Sequence, residues 1–194
     1  MNMNYKICFV CTGNACRSPF AECVTKKLLA DAGMNGIEVF SLGTLDCGEY
    51  PRDAAMVAVA KELGYDLSGT TTVMTREKLM AADAVIVFDE RHRDAITRVL
   101  DYSYWNKIVL FNKMAFDEDG NVEDPHYQTA AVYHRVAKHI ENGCKRLVEQ
   151  WKLQPPKPKD RRLHECNDNI TLAHVANRHN RPKGYFFSAE SRDR

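Results

Sequence analysis

The sequence lacks any apolar run that approaches the roughly 18 residues of a membrane-spanning helix, so we expect no membrane span. Residues 1–6 are polar and lack a charged region followed by an apolar one, so we expect no secretory signal. The seven cysteines are an odd number, which argues against a framework of paired disulfides. Reduced thiols without a secretory signal are typical of the cytosol, and we therefore expect a cytoplasmic protein.

The charge is balanced overall, at +1 for 194 residues, but it is not evenly distributed. Residues 152–194 hold ten basic and five acidic side chains, and a proline-rich basic stretch covers 155–162. We therefore predict one domain over 1–152 and a basic extension over 153–194, partly disordered or docked at its periphery. The histidines and the cysteine of this extension fit no zinc-binding spacing. No nucleic-acid partner is expected.

Apolar runs alternate with helical patterns along residues 1–152, which is typical of a parallel sheet covered on both faces. The predicted strands cover 5–10, 37–41, 84–88 and 107–111. The predicted helices cover 18–32, 52–63, 75–80, 89–100 and 129–151. The fold class is therefore α/β, a doubly wound, four-stranded parallel sheet with helices on both faces. In such folds the site lies at the carboxyl ends of the strands.

The segment 11–17 lies between the first strand and the first helix. Backbone N–H groups and the helix dipole in such a loop favour a phosphate dianion. Gly13 permits the tight turn, Asn14 tolerates a left-handed conformation, and the planar guanidinium of Arg17 can bind two phosphate oxygens. Thiols in such surroundings ionise readily, so Cys11 is expected to be a thiolate placed to attack phosphorus. A hydrogen bond from Ser18 would stabilise that thiolate.

The expected phosphate-binding set consists of Thr12, Gly13, Asn14, Ala15, Cys16, Arg17 and Ser18. A cysteine followed by an arginine six positions later is common by chance, and alone it would indicate a buried structural cysteine. Here glycine, asparagine, a second cysteine, serine and proline accompany the pair, after a strand and before a helix. This combination favours the phosphate loop.

Residues 11–19 resemble the signature of the low-molecular-weight protein tyrosine phosphatases. The resemblance extends from Lys6 to about Trp151 and includes residues 41–44, Asp89, and Asp124 with the proline after it. It implies the phosphotyrosine phosphatase I-like fold and hydrolysis of phosphotyrosine in proteins through a cysteinyl-phosphate intermediate. It also implies that the reaction needs no metal and no cofactor. We expect a monomer or a weak dimer.

The resemblance assigns the role of general acid to Asp124. Without it, an aspartate followed by proline would be a common turn. The acid would protonate the leaving oxygen and then deprotonate the water that cleaves phospho-Cys11. The catalytic set is thus Cys11, Arg17 and Asp124.

The resemblance also implies supporting roles. In relatives with a second cysteine, the residue at Cys16 can form a disulfide with the nucleophile and protect it from overoxidation, although a packing thiol is the alternative. Asn14, Ser18 and Ser41 match positions that hold the loop by hydrogen bonds. A histidine that often joins this network is replaced here, and we expect Thr70 in its place.

The pocket walls are expected to come from Tyr127 and His126, which follow the Asp124 turn, and from Tyr50. These side chains decide which substrate reaches the loop. Tyr127 is expected to stack on a phosphotyrosine ring, and His126 forms a weaker wall.

Three other functions deserve comparison. A thioredoxin-coupled arsenate reductase of the same fold needs a cysteine pair after the third strand, and 85–100 contains no cysteine. Phosphoarginine phosphatases carry threonine where this chain has Ala15. A catalytically inactive phosphate-binding module would not need Cys11, Arg17 and Asp124 together. The sequence therefore favours the tyrosine phosphatase, with the phosphoarginine phosphatase and the arsenate reductase as alternatives.

Overall fold

The computed structural model describes residues 5–156, which form an α/β fold around one parallel sheet. Its strands run in the order β2-β1-β3-β4, and all three pairings are parallel. The strands are β1 (Tyr5–Cys11), β2 (Ile37–Gly43), β3 (Ala84–Val87) and β4 (Ile108–Leu110). The predicted fold class is confirmed.

Six α-helices are described. They are α1 (Arg17–Asp31), α2 (Ala54–Glu62), α3 (Arg76–Ala81), α4 (Glu90–Thr97), α5 (Phe111–Phe116) and α6 (Ala130–Leu153). A 3₁₀ helix, Tyr102–Lys107, precedes β4. Three helices begin at a side chain that accepts a hydrogen bond from a free N–H of the first turn, namely Asp53, Thr75 and Asp89.

The core has two parts because successive side chains of a strand point to opposite faces of the sheet. In β1, Ile7 and Phe9 belong to the cluster packed by α1, α2, α5 and α6, whereas Cys8 and Val10 belong to the cluster packed by α3, α4 and the 3₁₀ helix. All four side chains are fully buried. The doubly wound arrangement follows from this division.

Two departures from the predicted elements have clear causes. The first helix begins at Arg17 and not at Ser18, and its N-cap residue, Cys16, makes no capping hydrogen bond. Ser18 does not cap because its hydroxyl contacts Cys11. The predicted fourth strand ends at Leu110, since Phe111 opens the unpredicted helix α5 and packs its ring in the core.

The sheet order places the site. β2 and β3 lie on either side of β1, so the chain leaves β1 in one direction and later returns on the other side. The carboxyl end of β1 is therefore the switch point at which such sheets bind ligands, and Cys11 is the last residue of β1.

No helix among residues 5–156 is long and apolar enough to cross a membrane. The basic extension predicted for 153–194 lies almost wholly outside the described residues, as do its histidines and cysteine.

Candidate active site

Neighbouring segments hold the loop between β1 and α1 in place by donating hydrogen bonds to its carbonyl groups. Cys11 O accepts from Thr44 N at 2.9 Å, Thr12 O accepts from Leu45 N at 2.9 Å, and Ala15 O accepts from Asp53 N at 3.1 Å. In a trans peptide the carbonyl and the following N–H point in opposite directions. The outward carbonyls therefore turn the intervening N–H groups toward the inside of the loop, where an anion binds.

A glycine lets the loop lie close to the sheet. A Cβ atom added to Gly43 would lie 2.9 Å from Thr12 O and 3.0 Å from Asn14 N, closer than side chains come to backbone. Asn14 itself adopts a left-handed conformation, with φ of 52°. The conformation of Asn14 is the one expected from the sequence, whereas the close approach at Gly43 was not predicted.

Cys11 lies at the floor of this loop and is only 3% exposed. Its Sγ is 3.0 Å from Ser18 Oγ. Ser18 Oγ accepts from Asn14 Nδ2 at 2.9 Å, and Leu42 O lies 3.3 Å away as a second acceptor. Because Ser18 Oγ accepts from Asn14, its own proton is free to point to the Cys11 sulfur or to Leu42 O.

The side chain of Asn14 fixes the direction of these hydrogen bonds. Its Oδ1 accepts from Arg52 Nη1 at 2.7 Å and from Thr72 N at 2.9 Å, so the amide has one orientation. Its Nδ2 then donates to Ser18 and, at 2.8 Å, to Ser41 Oγ. The Ser41 hydroxyl group in turn donates a hydrogen bond to Glu22 Oε2 at 2.6 Å. Asn14, Ser18 and Ser41 thus form one hydrogen-bonded group with the loop, and their supporting role stays a prediction.

Arg17 is 1% exposed, although it is charged. Its Nη1 donates to Val122 O at 3.1 Å, and its Nη2 forms an ion pair with Asp124 Oδ2. Among the described residues its buried Nε has no hydrogen-bond partner. A buried, unpaired guanidinium N–H beside the phosphate loop is suited to a phosphate oxygen.

One pocket of about 410 Å³ brings most of the predicted residues together, whereas Asn14, Ser18 and Ser41 are buried and do not line it. The phosphate loop contributes six residues to the pocket lining: Cys11, Thr12, Gly13, Ala15, Cys16 and Arg17. The rim is formed by Asp124, Tyr50, His126 and Tyr127, together with Leu45 and Cys47. Tyr50 is 69% exposed and Tyr127 is 90% exposed. The rings of His126 and Tyr127 lie with their centroids 3.9 Å apart.

Residues 6–157 match the family model for low molecular weight phosphotyrosine protein phosphatase. The chain belongs to this family. Low molecular weight phosphotyrosine protein phosphatase 2 of Drosophila melanogaster is 25% identical, over 76% of this chain and 93% of that protein. A protein-arginine-phosphatase of Bacillus subtilis is 28% identical, over 80% of this chain and 99% of that protein. The predicted family and its enzyme class, phosphomonoester hydrolase, are confirmed.

A solved structure supports the same assignment. The low molecular weight phosphotyrosine phosphatase of Vibrio cholerae has a TM-score of 0.73 against this chain, with 27% identity. The similarity covers 79% of this chain and all of that one.

The replacement expected at Thr70 within the family's supporting network is wrong. Thr70 is exposed, and its backbone forms an isolated bridge with Pro51. Asn14 accepts instead from Arg52 Nη1, which donates to both its backbone O and its side-chain Oδ1, and from Thr72 N. Arg52 directly precedes the residue that caps α2, and its long side chain reaches back to the loop. No spacing rule in the sequence pointed to it.

His92 is a second residue that sequence reasoning missed. It lies on α4, is 2% exposed, and its Nε2 is 2.9 Å from Thr12 Oγ1. Burial, reinforced by the charge of Arg17, lowers the pKa of His92 to about 4. The imidazole is therefore neutral at physiological pH and supports the outer side of the phosphate loop.

Asp53 connects the loop to the rim. Besides capping α2 through Met56 N at 3.0 Å, it accepts from Tyr133 OH at 3.0 Å and contacts His126 Nδ1 at 3.2 Å. Burial alone would raise the pKa of Asp53, but these hydrogen bonds outweigh it and lower the pKa. Burial raises the pKa of the Cys16 thiol, and the negative charge of Asp53 raises this pKa further. Cys11 and Cys16 are both free thiols here, and the redox role of Cys16 stays a prediction.

We predict that Arg52→Met lowers kcat by about 10- to 100-fold, since hydrogen bonds from charged donors contribute about 1.5–3 kcal/mol. Without Arg52, the Asn14 oxygen keeps only the donor Thr72 N, so Nδ2 is aimed less firmly at Ser18. The measurement is steady-state kinetics on an aryl phosphate. Arg98→Met, at an exposed position after α4, is the matched control. An unchanged kcat in the Arg52 variant would remove the residue from the network.

We also predict that His92 makes the protein less stable in acid. An unfolded histidine has a pKa near 6.5, whereas that of folded His92 is about 4. Between these values the unfolded chain binds a proton that the folded chain does not, so stability present above pH 6.5 is lost as the pH falls toward 4, by up to about 3 kcal/mol.

Denaturant unfolding at pH 7 and pH 4 measures this loss in the wild type and in His92→Gln. The variant should lose less stability than the wild type over the same interval. Equal losses in the two proteins would contradict the prediction.

Proposed function

We propose that this chain hydrolyses phosphotyrosine in proteins through a cysteinyl-phosphate formed on Cys11. The observation that carries the proposal is the single pocket in which a buried cysteine, a buried arginine and an aspartate at the rim meet. Such a set supplies the nucleophile, the phosphate ligand and the proton donor of a phosphoryl transfer.

In the first step the phosphate enters the loop, where the inward N–H groups and Arg17 bind its oxygens. Cys11 Sγ attacks phosphorus, and the bond to the tyrosine oxygen breaks. Asp124, in its protonated form, gives its proton to that oxygen, so that a neutral phenol leaves.

In the second step water attacks phospho-Cys11. Asp124, now a carboxylate, takes the proton of this water. The phosphorus–sulfur bond breaks, phosphate leaves, and the Cys11 thiolate accepts the hydrogen bond of Ser18. Asp124 thus acts first as acid and then as base.

The ion pair between Arg17 and Asp124 prepares this sequence. Arg17 is buried, whereas the Asp124 side chain is 37% exposed. A bound phosphate dianion competes with Asp124 for the same Nη2 donor. The Asp124 carboxyl group is then free at the rim beside the leaving oxygen, where it can donate its proton to that oxygen.

The burial of Cys11 favours tyrosine over serine. Because Cys11 is almost fully buried, the longer phosphotyrosine side chain is better suited than phosphoserine to bring its phosphorus to the sulfur while the peptide stays outside. The exposed rings of Tyr50 and Tyr127 offer faces for the longer aromatic side chain.

Phosphoarginine is the second candidate, because a relative of similar identity is named a protein-arginine-phosphatase. Ala15, which lines the pocket, lacks the hydroxyl that such relatives carry at this position. We therefore place phosphotyrosine first. The free thiols of Cys11 and Cys16 suit a reducing compartment, which supports a cytoplasmic location.

Peptides that carry phosphotyrosine, phosphoarginine or phosphoserine test the substrate. We expect the highest kcat/KM for phosphotyrosine, and we expect Cys11→Ser to lose activity by about a thousandfold or more. Ala15→Thr should raise the phosphoarginine rate relative to the phosphotyrosine rate. A wild-type preference for phosphoarginine would overturn the substrate, and activity that survives Cys11→Ser would overturn the mechanism.

A second experiment tests Asp124. Asp124→Asn should lower kcat/KM about 10²- to 10⁴-fold for a phenyl phosphate, whose leaving group needs a proton. The loss should be far smaller for an ester with a very acidic leaving group. kcat/KM is the right quantity because it reports the steps up to the first irreversible one. Asp119→Asn, at an exposed residue of the preceding loop, is the control. Equal losses for both esters would remove Asp124 from the acid role.

A further inference from the structure

Three metal-binding side chains from distant parts of the chain meet at the pocket. Cys16 Sγ, a carboxylate oxygen of Asp53 and a ring nitrogen of His126 all lie within 4.8 Å of one another. The phosphatase mechanism uses none of these three groups as a reacting atom. All three residues also line the pocket that holds Cys11.

The distances are close to those of a bound zinc ion. Tetrahedral zinc with bonds of about 2.0–2.3 Å keeps its ligand atoms about 3.3–3.8 Å apart. Asp53 Oδ2 and His126 Nδ1 are already 3.2 Å apart. The remaining gaps close by an approach of about 1 Å, and His126, whose side chain is 47% exposed, has room to make it.

The ligand set selects the type of metal. Thiolate, imidazole and carboxylate together are typical of zinc, whereas magnesium and calcium prefer oxygen ligands. Each of the three is a common zinc ligand, and three protein ligands leave one coordination position open.

The carboxylate is held in place by groups that are not ligands. Met56 N donates to Asp53 Oδ1 at 3.0 Å, and Tyr133 OH donates to Asp53 Oδ2 at 3.0 Å. Outer hydrogen bonds of this kind orient the ligands of metal sites and tune their affinity. Asp53 is therefore fixed in position independently of His126.

We propose that Cys16, Asp53 and His126 bind a zinc ion that inhibits the enzyme. Binding replaces the proton of the Cys16 thiol, which passes to solvent, so zinc affinity rises with pH. The ion stands beside the phosphate loop and joins it to the rim through His126. Substrate and zinc then compete for the same entrance.

Zinc affinity is measured without turnover, so the result does not depend on the proposed substrate. The full chain carries Cys11→Ser, because the nucleophile is itself a possible zinc ligand. Competition with a chromophoric chelator gives the dissociation constant. We expect His126→Phe to weaken binding more than about tenfold and Tyr133→Phe to weaken it about tenfold.

The matched control is His134→Phe, which removes a half-buried histidine of α6 that pairs with Glu62 at 3.3 Å. It should leave the affinity unchanged, and Mg²⁺ should not compete. No zinc binding, or equal losses in the His126 and His134 variants, would overturn the proposal.

Cobalt provides a second, spectroscopic test. Co²⁺ added to the Cys11→Ser protein should give a thiolate-to-cobalt charge-transfer band, because Cys16 is a ligand. The band should disappear in Cys16→Ala and persist in Cys166→Ser. A band that persists in Cys16→Ala would place the metal elsewhere and overturn the proposal.

Discussion

The buried amide of Asn14 is the constraint on which the site depends. It is fully buried, and its backbone adopts the left-handed conformation that turns the phosphate loop. Two donors reach its oxygen and two hydroxyl groups accept from its nitrogen, so every hydrogen-bonding group of the side chain has a partner. Because unsatisfied buried polar groups are costly, this network has one stable arrangement. One side chain therefore fixes both the shape of the loop and the proton that faces Cys11.

Local features of the site could be predicted from the sequence, because neighbouring residues determine them. A buried strand, a glycine, an asparagine and a helix start follow one another between Tyr5 and Ser18, and the loop forms as expected. The four strands were also predictable, since their apolar runs are short and bounded by polar segments. Helix α5 was not, because its six residues begin directly after β4 and carry no capping signal.

Contacts between distant segments were beyond sequence reasoning. Arg52 and His92 meet the loop only after α2 and α4 have packed, and nothing in their own neighbourhoods marks them. The expectation at Thr70 failed for the same reason, since it transferred a role by position along the chain. Cys16 and Asp53 are 37 residues apart, and Asp53 and His126 are 73 residues apart. These separations match no metal-binding spacing.

The hydroxyl of Ser18 has one proton and two acceptors, Cys11 Sγ at 3.0 Å and Leu42 O at 3.3 Å. When the sulfur carries negative charge, the proton turns toward it. When the sulfur is bonded to phosphorus, that charge is gone and the carbonyl becomes the better acceptor. A small rotation about one side-chain bond thus keeps the hydroxyl satisfied in both halves of the catalytic cycle, and the surrounding backbone need not move.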